Sequence, residues 1–110
     1  MTTTIAILKA ARDLIAKPEN WLQGTYAKNE NGRDVSALSH EGVCFCAMGA
    51  LLRAGWVHPS ADDDAVVAVL NQVPDDMLIA EFNDQATHSE VLDLFSKAIS
   101  SAEEKQGAAS

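Results

Sequence analysis

Val43-Cys44-Phe45-Cys46-Ala47-Met48-Gly49-Ala50-Leu51-Leu52-Arg53-Ala54 is the most apolar stretch of the chain, and its period decides the fold. Val43, Ala47, Ala50, Leu51 and Ala54 recur at three- and four-residue spacing, with Cys44, Met48 and Leu52 beside them. This spacing predicts a helix over residues 40–54. Arg53 is its only charge after Glu41, and a helix apolar on nearly every side belongs in the middle of a bundle. Gly49 costs about 1 kcal/mol in a helix interior, which implies that another backbone packs closely there. Gly55 is read as a left-handed cap and Trp56 as the apolar residue that follows it.

On the N-terminal side, Ile7, Leu8, Ala11, Leu14 and Ile15 predict a first helix over residues 4–17, with Lys9, Arg12 and Asp13 turned away. Pro18 stops it, and Trp21 is expected to fold back as a core anchor. Thr25-Tyr26-Ala27 and Arg33-Asp34-Val35 flank Asn29-Glu30-Asn31-Gly32, where Asn-Gly favours a tight hairpin turn. A tiny ribbon or an ordered loop fits this pattern.

On the C-terminal side, Ser60 is an N-cap, and Asp62, Asp63 and Asp64 match the dipole of a third helix. Val66, Val69, Leu70 and Val73 give that helix its buried face. Pro74 ends it and opens a short helix over residues 75–81 that buries Met77, Leu78 and Phe82. Residues 83–86 read as a connection. Thr87 and Glu90 have capping-box spacing, and Val91, Leu94, Phe95, Ala98, Ile99 and Ala102 carry a last helix to about residue 104. The expected fold is therefore all-α: one compact domain of four or five helices over residues 1–106, with one very short β-hairpin after the first helix. Residues 107–110 form a frayed tail.

The 110 residues suit a single domain, and 47% hydrophobic with 22% charged residues is a globular balance. Sixteen Asp and Glu against eight Lys and Arg give a net charge of −8. That charge argues against nucleic acid and against anionic lipid, since both demand clustered cations. The N-terminus lacks the basic region of a signal peptide. The longest uncharged run, residues 42–52, is too short to span a bilayer. Cys44 and Cys46 are too close in sequence for ordinary disulfide geometry and read as free thiols in a reducing cytoplasm.

Each chemical candidate has a plainer structural account. His40 and Cys44 would share a helix face, but Cys46 points elsewhere and nothing beyond His58 and His88 could complete a metal site. A cysteine nucleophile paired with one of these histidines has only residue types in its favour, because apolar surroundings raise a thiol pKa. Asp62, Asp63 and Asp64 fan out around a helix and cannot converge on one cation. Asn83, Asp84, Thr87 and His88 form the least ordinary polar cluster. They read as a turn and a cap, or as a small polar pocket framed by Trp21, Tyr26 and Trp56 with His88 able to change charge near neutral pH.

The stretch Cys46-Ala47-Met48-Gly49-Ala50-Leu51 resembles a Trp-Cys-x-x-Gly-Ala-Leu pattern. Asn83-Asp84, Thr87, Glu90-Val91-Leu92, Phe95 and Ala98-Ile99 resemble an Asn-Asp…Thr-x-x-Glu-Val-Leu-x-x-Phe-x-x-Ala-Ile pattern. Together with the first-helix pattern and Trp21-x-Gln23-Gly24, they are similar to a family of small bacterial and phage proteins known only as a domain of unknown function. Phe45 and Phe82 stand where tryptophans are expected. The resemblance implies a fold unit and a prokaryotic or phage origin, but no activity, and it slightly favours a functional role for Asn83 and Asp84.

The expected function is a non-enzymatic, acidic, cytoplasmic interaction module that binds a basic protein and needs no cofactor or metal. The alternative is a small-ligand or catalytic site at residues 83–88, with Asn83, Asp84, Thr87 and His88 as its residues. Self-association through the third helix is a further option, because Val66, Val67, Val69 and Leu70 give it more apolar surface than one face requires.

Overall fold

In the computed structural model, which describes residues 2–57 and 62–109, the first apolar stripe folds as helix α1 (Thr2–Leu14). Ile7, Leu8, Ala11 and Ile15 are fully buried along it. A single 3₁₀ turn at Pro18–Asn20 follows and delivers Trp21 and Leu22 back to the core. Strands β1 (Ala27–Lys28) and β2 (Cys44–Phe45) pair antiparallel, with Ala27 opposite Phe45 and Lys28 opposite Cys44. Helices α2 (Ala47–Val57), α3 (Asp62–Leu70), α4 (Ile79–Gln85) and α5 (His88–Ala109) complete the chain. Helix α1 packs on α2 and α5, α3 touches all three, and α4 lies on α2. The expected class, mostly helical with one minute hairpin, is the observed one.

The hairpin uses a different partner from the one the turn suggested. Residues 33–35 do return alongside β1, through a bridge between Lys28 and Asp34 and bonds from Asn29 N–H to Arg33 C=O and from Val35 N–H to Ala27 C=O. Gly32 takes the positive φ of that turn, and Asn29 Oδ1 accepts the N–H groups of Asn31 and Arg33. The other edge of β1, however, is taken by residues that periodicity assigned to a helix.

The central helix therefore starts at Ala47, not near residue 40, and the reason is tertiary. Phe45 C=O accepts Leu22 N–H at 3.1 Å, and Cys46 N–H donates to Tyr26 C=O at 3.2 Å. These bonds, with the burial of Phe45, outweigh the helical bonds that residues 44–46 could make among themselves. At the other end the helix runs through Gly55 to Val57, so Gly55 is a buried interior residue rather than a cap. Ser60 and His58, and the side chain of Trp56, lie outside the described residues.

The short fourth helix is also displaced. Residues 75–78 form a turn with Asp76 at φ 71°, and Met77 N–H bonds to Pro74 C=O. Glu81 accepts the N–H of Leu78 at 3.1 Å and so fixes the start of α4 at Ile79, four residues later than expected. Asn83 and Asp84 consequently sit on a helix rather than in a connection. Leu78 is 65% exposed, Ile79 is buried in its place, and Met77 and Phe82 are half-buried. Helix α5 begins as expected, with Thr87 Oγ1 accepting Glu90 N–H and Glu90 accepting Thr87 N–H. Its backbone stays helical to Ala109, past the expected end and through residues expected to fray. On α3, Val69 is fully buried and Val66 packs on the core, whereas Val67 and Leu70 remain exposed.

The close backbone approach implied by Gly49 is that of Tyr26. A Cβ on Gly49 would overlap the Tyr26 carbonyl oxygen and stand 2.9 Å from its carbonyl carbon. That carbonyl is held by its bond from Cys46 N–H and cannot swing aside. Gly49→Ala is expected to lower stability by about 1–3 kcal/mol through overpacking, although alanine gains about 1 kcal/mol in helix propensity. Urea unfolding of the two proteins checks the sign.

Candidate functional site

The polar residues singled out in the sequence meet where the 21–24 loop, the start of α2 and the end of α4 come together. Asn83 is fully buried at the centre. Its Oδ1 accepts the indole N–H of Trp21 at 2.7 Å and the backbone N–H of Ala47 at 2.9 Å. Its Nδ2 donates to Leu22 C=O at 3.0 Å and to Asp84 Oδ1 at 3.4 Å. All four hydrogen-bonding positions of the amide are filled, and the reverse orientation would set its NH₂ against two donors. Ala47 N–H is one of the orphan donors at the start of α2, so Asn83 caps that helix from outside.

The neighbouring residues extend this joint. Asp84 Oδ1 accepts Gly24 N–H at 2.9 Å, where Gly24 holds φ +88°. Gln23 Nε2 lies 3.0–3.1 Å from the carbonyls of Asn83, Asp84 and Ala86, supplying the last turn of α4 with a donor it otherwise lacks. Thr87 caps α5. His88 Nε2 lies 2.6 Å from Ile15 C=O, and its ring sits 5.5 Å from that of Trp21 at 43°. Asp84 is therefore directed to the 23–24 loop and His88 to the end of α1. The structure brings the four expected site residues together around Trp21 and Gln23; Asn83, Asp84 and His88 tie elements to one another, and Thr87 caps α5. The role of Gln23 was legible only in the Trp-x-Gln-Gly pattern.

Cys46 belongs to the same joint. It is the residue before α2, and its Sγ accepts Gly49 N–H at 3.3 Å in the manner of an N-cap serine. Burial pushes its thiol pKa up, while N–H groups of Gly49 and Met48 pull the other way and the Asp84 charge adds to the rise. Cys44, half-buried on β2, lies 3.8 Å from Lys28 C=O. His40 is exposed in a turn, so the helical spacing that paired it with Cys44 does not apply. Among the described residues no group of three or more His, Cys, Asp or Glu side chains is placed to hold a metal ion. None of the described helices is long and apolar enough to cross a membrane.

Charge concentrates elsewhere. Between Arg53 and Lys97 the sequence holds nine of the sixteen carboxylates and no Lys or Arg. Within this segment a groove of about 400 Å³ runs between the 72–74 turn, Phe82 of α4 and the first half of α5. Pro74, Phe82 and Leu94 line it together with the exposed carboxylates of Glu90 and Asp93. Lys97 closes one end, with Nζ 3.1 Å from Asp93 Oδ2.

A single-domain helical fold whose polar joint lies at the residues of the two sequence patterns defines the class. The chain belongs to a family of unknown function, DUF6197, which matches residues 1–101. No curated protein and no solved structure matches it.

Two outcomes follow from the joint. Asn83→Ala leaves the Trp21 indole, Ala47 N–H and Leu22 C=O without partners, and a cost of about 3–5 kcal/mol is expected from several buried unsatisfied groups. Faster amide exchange at Ala47, together with the lowered unfolding midpoint, checks that the start of α2 is what loosens. For Cys46, the unfolded chain ionises at a lower pH than the folded one. The stabilisation is thus complete below the ordinary thiol pKa of about 9 and is lost as pH rises through the elevated folded value. Urea midpoints measured between pH 7 and 10.5 should fall more steeply for the wild type than for Cys46→Ser, which keeps a capping acceptor but does not titrate there.

Proposed function

We propose that this chain is a non-enzymatic interaction module that recruits a basic protein in the cytoplasm. The observation that carries the reading is the segregation of charge. The 53–97 interval carries nine carboxylates without an intervening Lys or Arg, and seven of them, from Asp64 to Asp93, are exposed on α3, α4, α5 and their connections. Exposed carboxylates in this excess steer an oppositely charged protein to the surface and disfavour anionic partners. The two free thiols favour a reducing compartment. The residues once open to a ligand-site reading are occupied in joining the 21–24 loop, α1, α2, α4 and α5. The acidic face therefore offers more unengaged chemistry than the 83–88 region.

Capture from a lysate of the source cell, at low salt and at about 0.5 M salt, tests the reading. The control is the triple variant Asp75→Asn, Asp76→Asn, Asp93→Asn, in which asparagine tolerates the positive φ of residue 76. A basic protein retained at low salt, released at high salt and reduced in the variant is expected. Absence of any captured protein, or capture indifferent to both salt and neutralisation, overturns the reading.

A further inference from the structure

We infer that the groove between Pro74, Phe82 and the first half of α5 receives a short peptide segment of the partner. That segment would carry one large apolar side chain flanked by lysine or arginine. The inference rests on the acidic-module reading and assigns it a place and a recognition chemistry.

The groove pairs the two features such a segment needs. The exposed Pro74 and the half-buried Phe82 offer apolar surface above the buried Leu94, along an open groove of about 400 Å³. Glu90 and Asp93 are three residues apart and share the exposed side of α5. From Glu90 to Lys97 the helix rises about 10 Å, the span of about three residues of extended chain. An apolar side chain set between Phe82 and Leu94 thus brings its sequence neighbours within reach of both carboxylates.

Glu90 is partly engaged, since it accepts the N–H of Thr87, whereas Asp93 is held only by Lys97. That pair is solvent-exposed on both sides, and exposed ion pairs contribute little, so an incoming cation can replace Lys97 at small cost. Lys97 is the one cation at the groove and works against a basic guest.

The test uses a synthetic peptide, Lys-Arg-Lys-Trp-Lys-Arg-Lys, and its twin with glycine in place of tryptophan, binding to the intact protein. Fluorescence anisotropy of labelled peptide gives the affinity, and backbone amide shifts give the location. The tryptophan peptide is expected to bind roughly tenfold more tightly than its twin, as burial of one anchor implies. Lys97→Glu is expected to raise affinity by roughly threefold, and Asp93→Lys to lower it by a similar factor. The gain in Lys97→Glu is informative because a misfolded protein would not produce it. Shift changes should centre on Phe82 and on residues 89–97.

Equal binding of the two peptides, or an unchanged affinity in Lys97→Glu, overturns the groove. So does a shift map centred elsewhere, or no binding of either peptide. In each case salt-sensitive capture of a basic protein would still stand by itself, so failure of the groove is distinguishable from failure of the acidic-module reading.

Discussion

The structure depends on one buried amide. Asn83 replaces water for three groups on two separate segments that would otherwise be unpaired: the indole N–H of Trp21 and the carbonyl of Leu22 in one loop, and the first amide of α2. An unmade bond of this kind costs on the order of 1–3 kcal/mol, so the position of α4 relative to α2 and the 21–24 loop is strongly specified. An apolar side chain in the same space would bury as well but would strand all three partners. Packing sets that these elements touch, and the amide sets how they are aligned.

The residues that carry the family resemblance acquire a physical meaning from this joint. Gly49 admits the backbone of Tyr26, Cys46 and Asn83 cap α2, Gln23 caps the end of α4, Asp84 holds Gly24, and Thr87 with Glu90 starts α5. Only the Cys46 cap and the Thr87–Glu90 box are local to one element. The resemblance alone favours a functional role for Asn83, and the joint gives the asparagine a structural reason. It is needed because the residue lies on a helix inside the core, where an amide can serve two acceptor and two donor roles at once.

Local signals were legible in the sequence wherever short-range chemistry governs. The Thr87–Glu90 box, the Gly32 turn and the buried faces of α1 and α5 follow from spacing and cap residues, whereas α1 ends at Leu14 and not at Lys17 before Pro18. Errors occurred where long-range bonds compete with periodicity. Residues 44–46 have helical spacing, yet their backbone groups bond to Leu22 and Tyr26, about twenty residues away. Leu78 fitted an apolar face one position too early, since the Glu81 carboxylate fixes the start of α4 and gives that burial to Ile79. Gly55 looked like a cap because nothing in a single sequence reveals the packing that carries α2 past it. The site residues were found as a cluster, but their orientation toward Trp21 and Gln23 depends on contacts some sixty residues apart.

Charge is distributed on a different principle from the joint. Glu81, Asp84 and Glu90 are accounted for by the bonds they make to the backbone. Asp75 and Asp76 have no comparable task, and they are adjacent like charges in an exposed turn. Asp76 also holds a left-handed conformation that glycine or asparagine would adopt without adding charge. Asp93 sits three residues after Glu90 on one face of α5, and its ion pair with Lys97 four residues on offsets that like-charge repulsion. Folding alone would favour neutral residues at positions 75 and 76. Asp75 and Asp76 thus cost stability without a structural return, and Asp93 lines the groove beside Phe82. The fold is a body aligned by Asn83, and the exposed carboxylates at 75, 76 and 93 take no part in that joint.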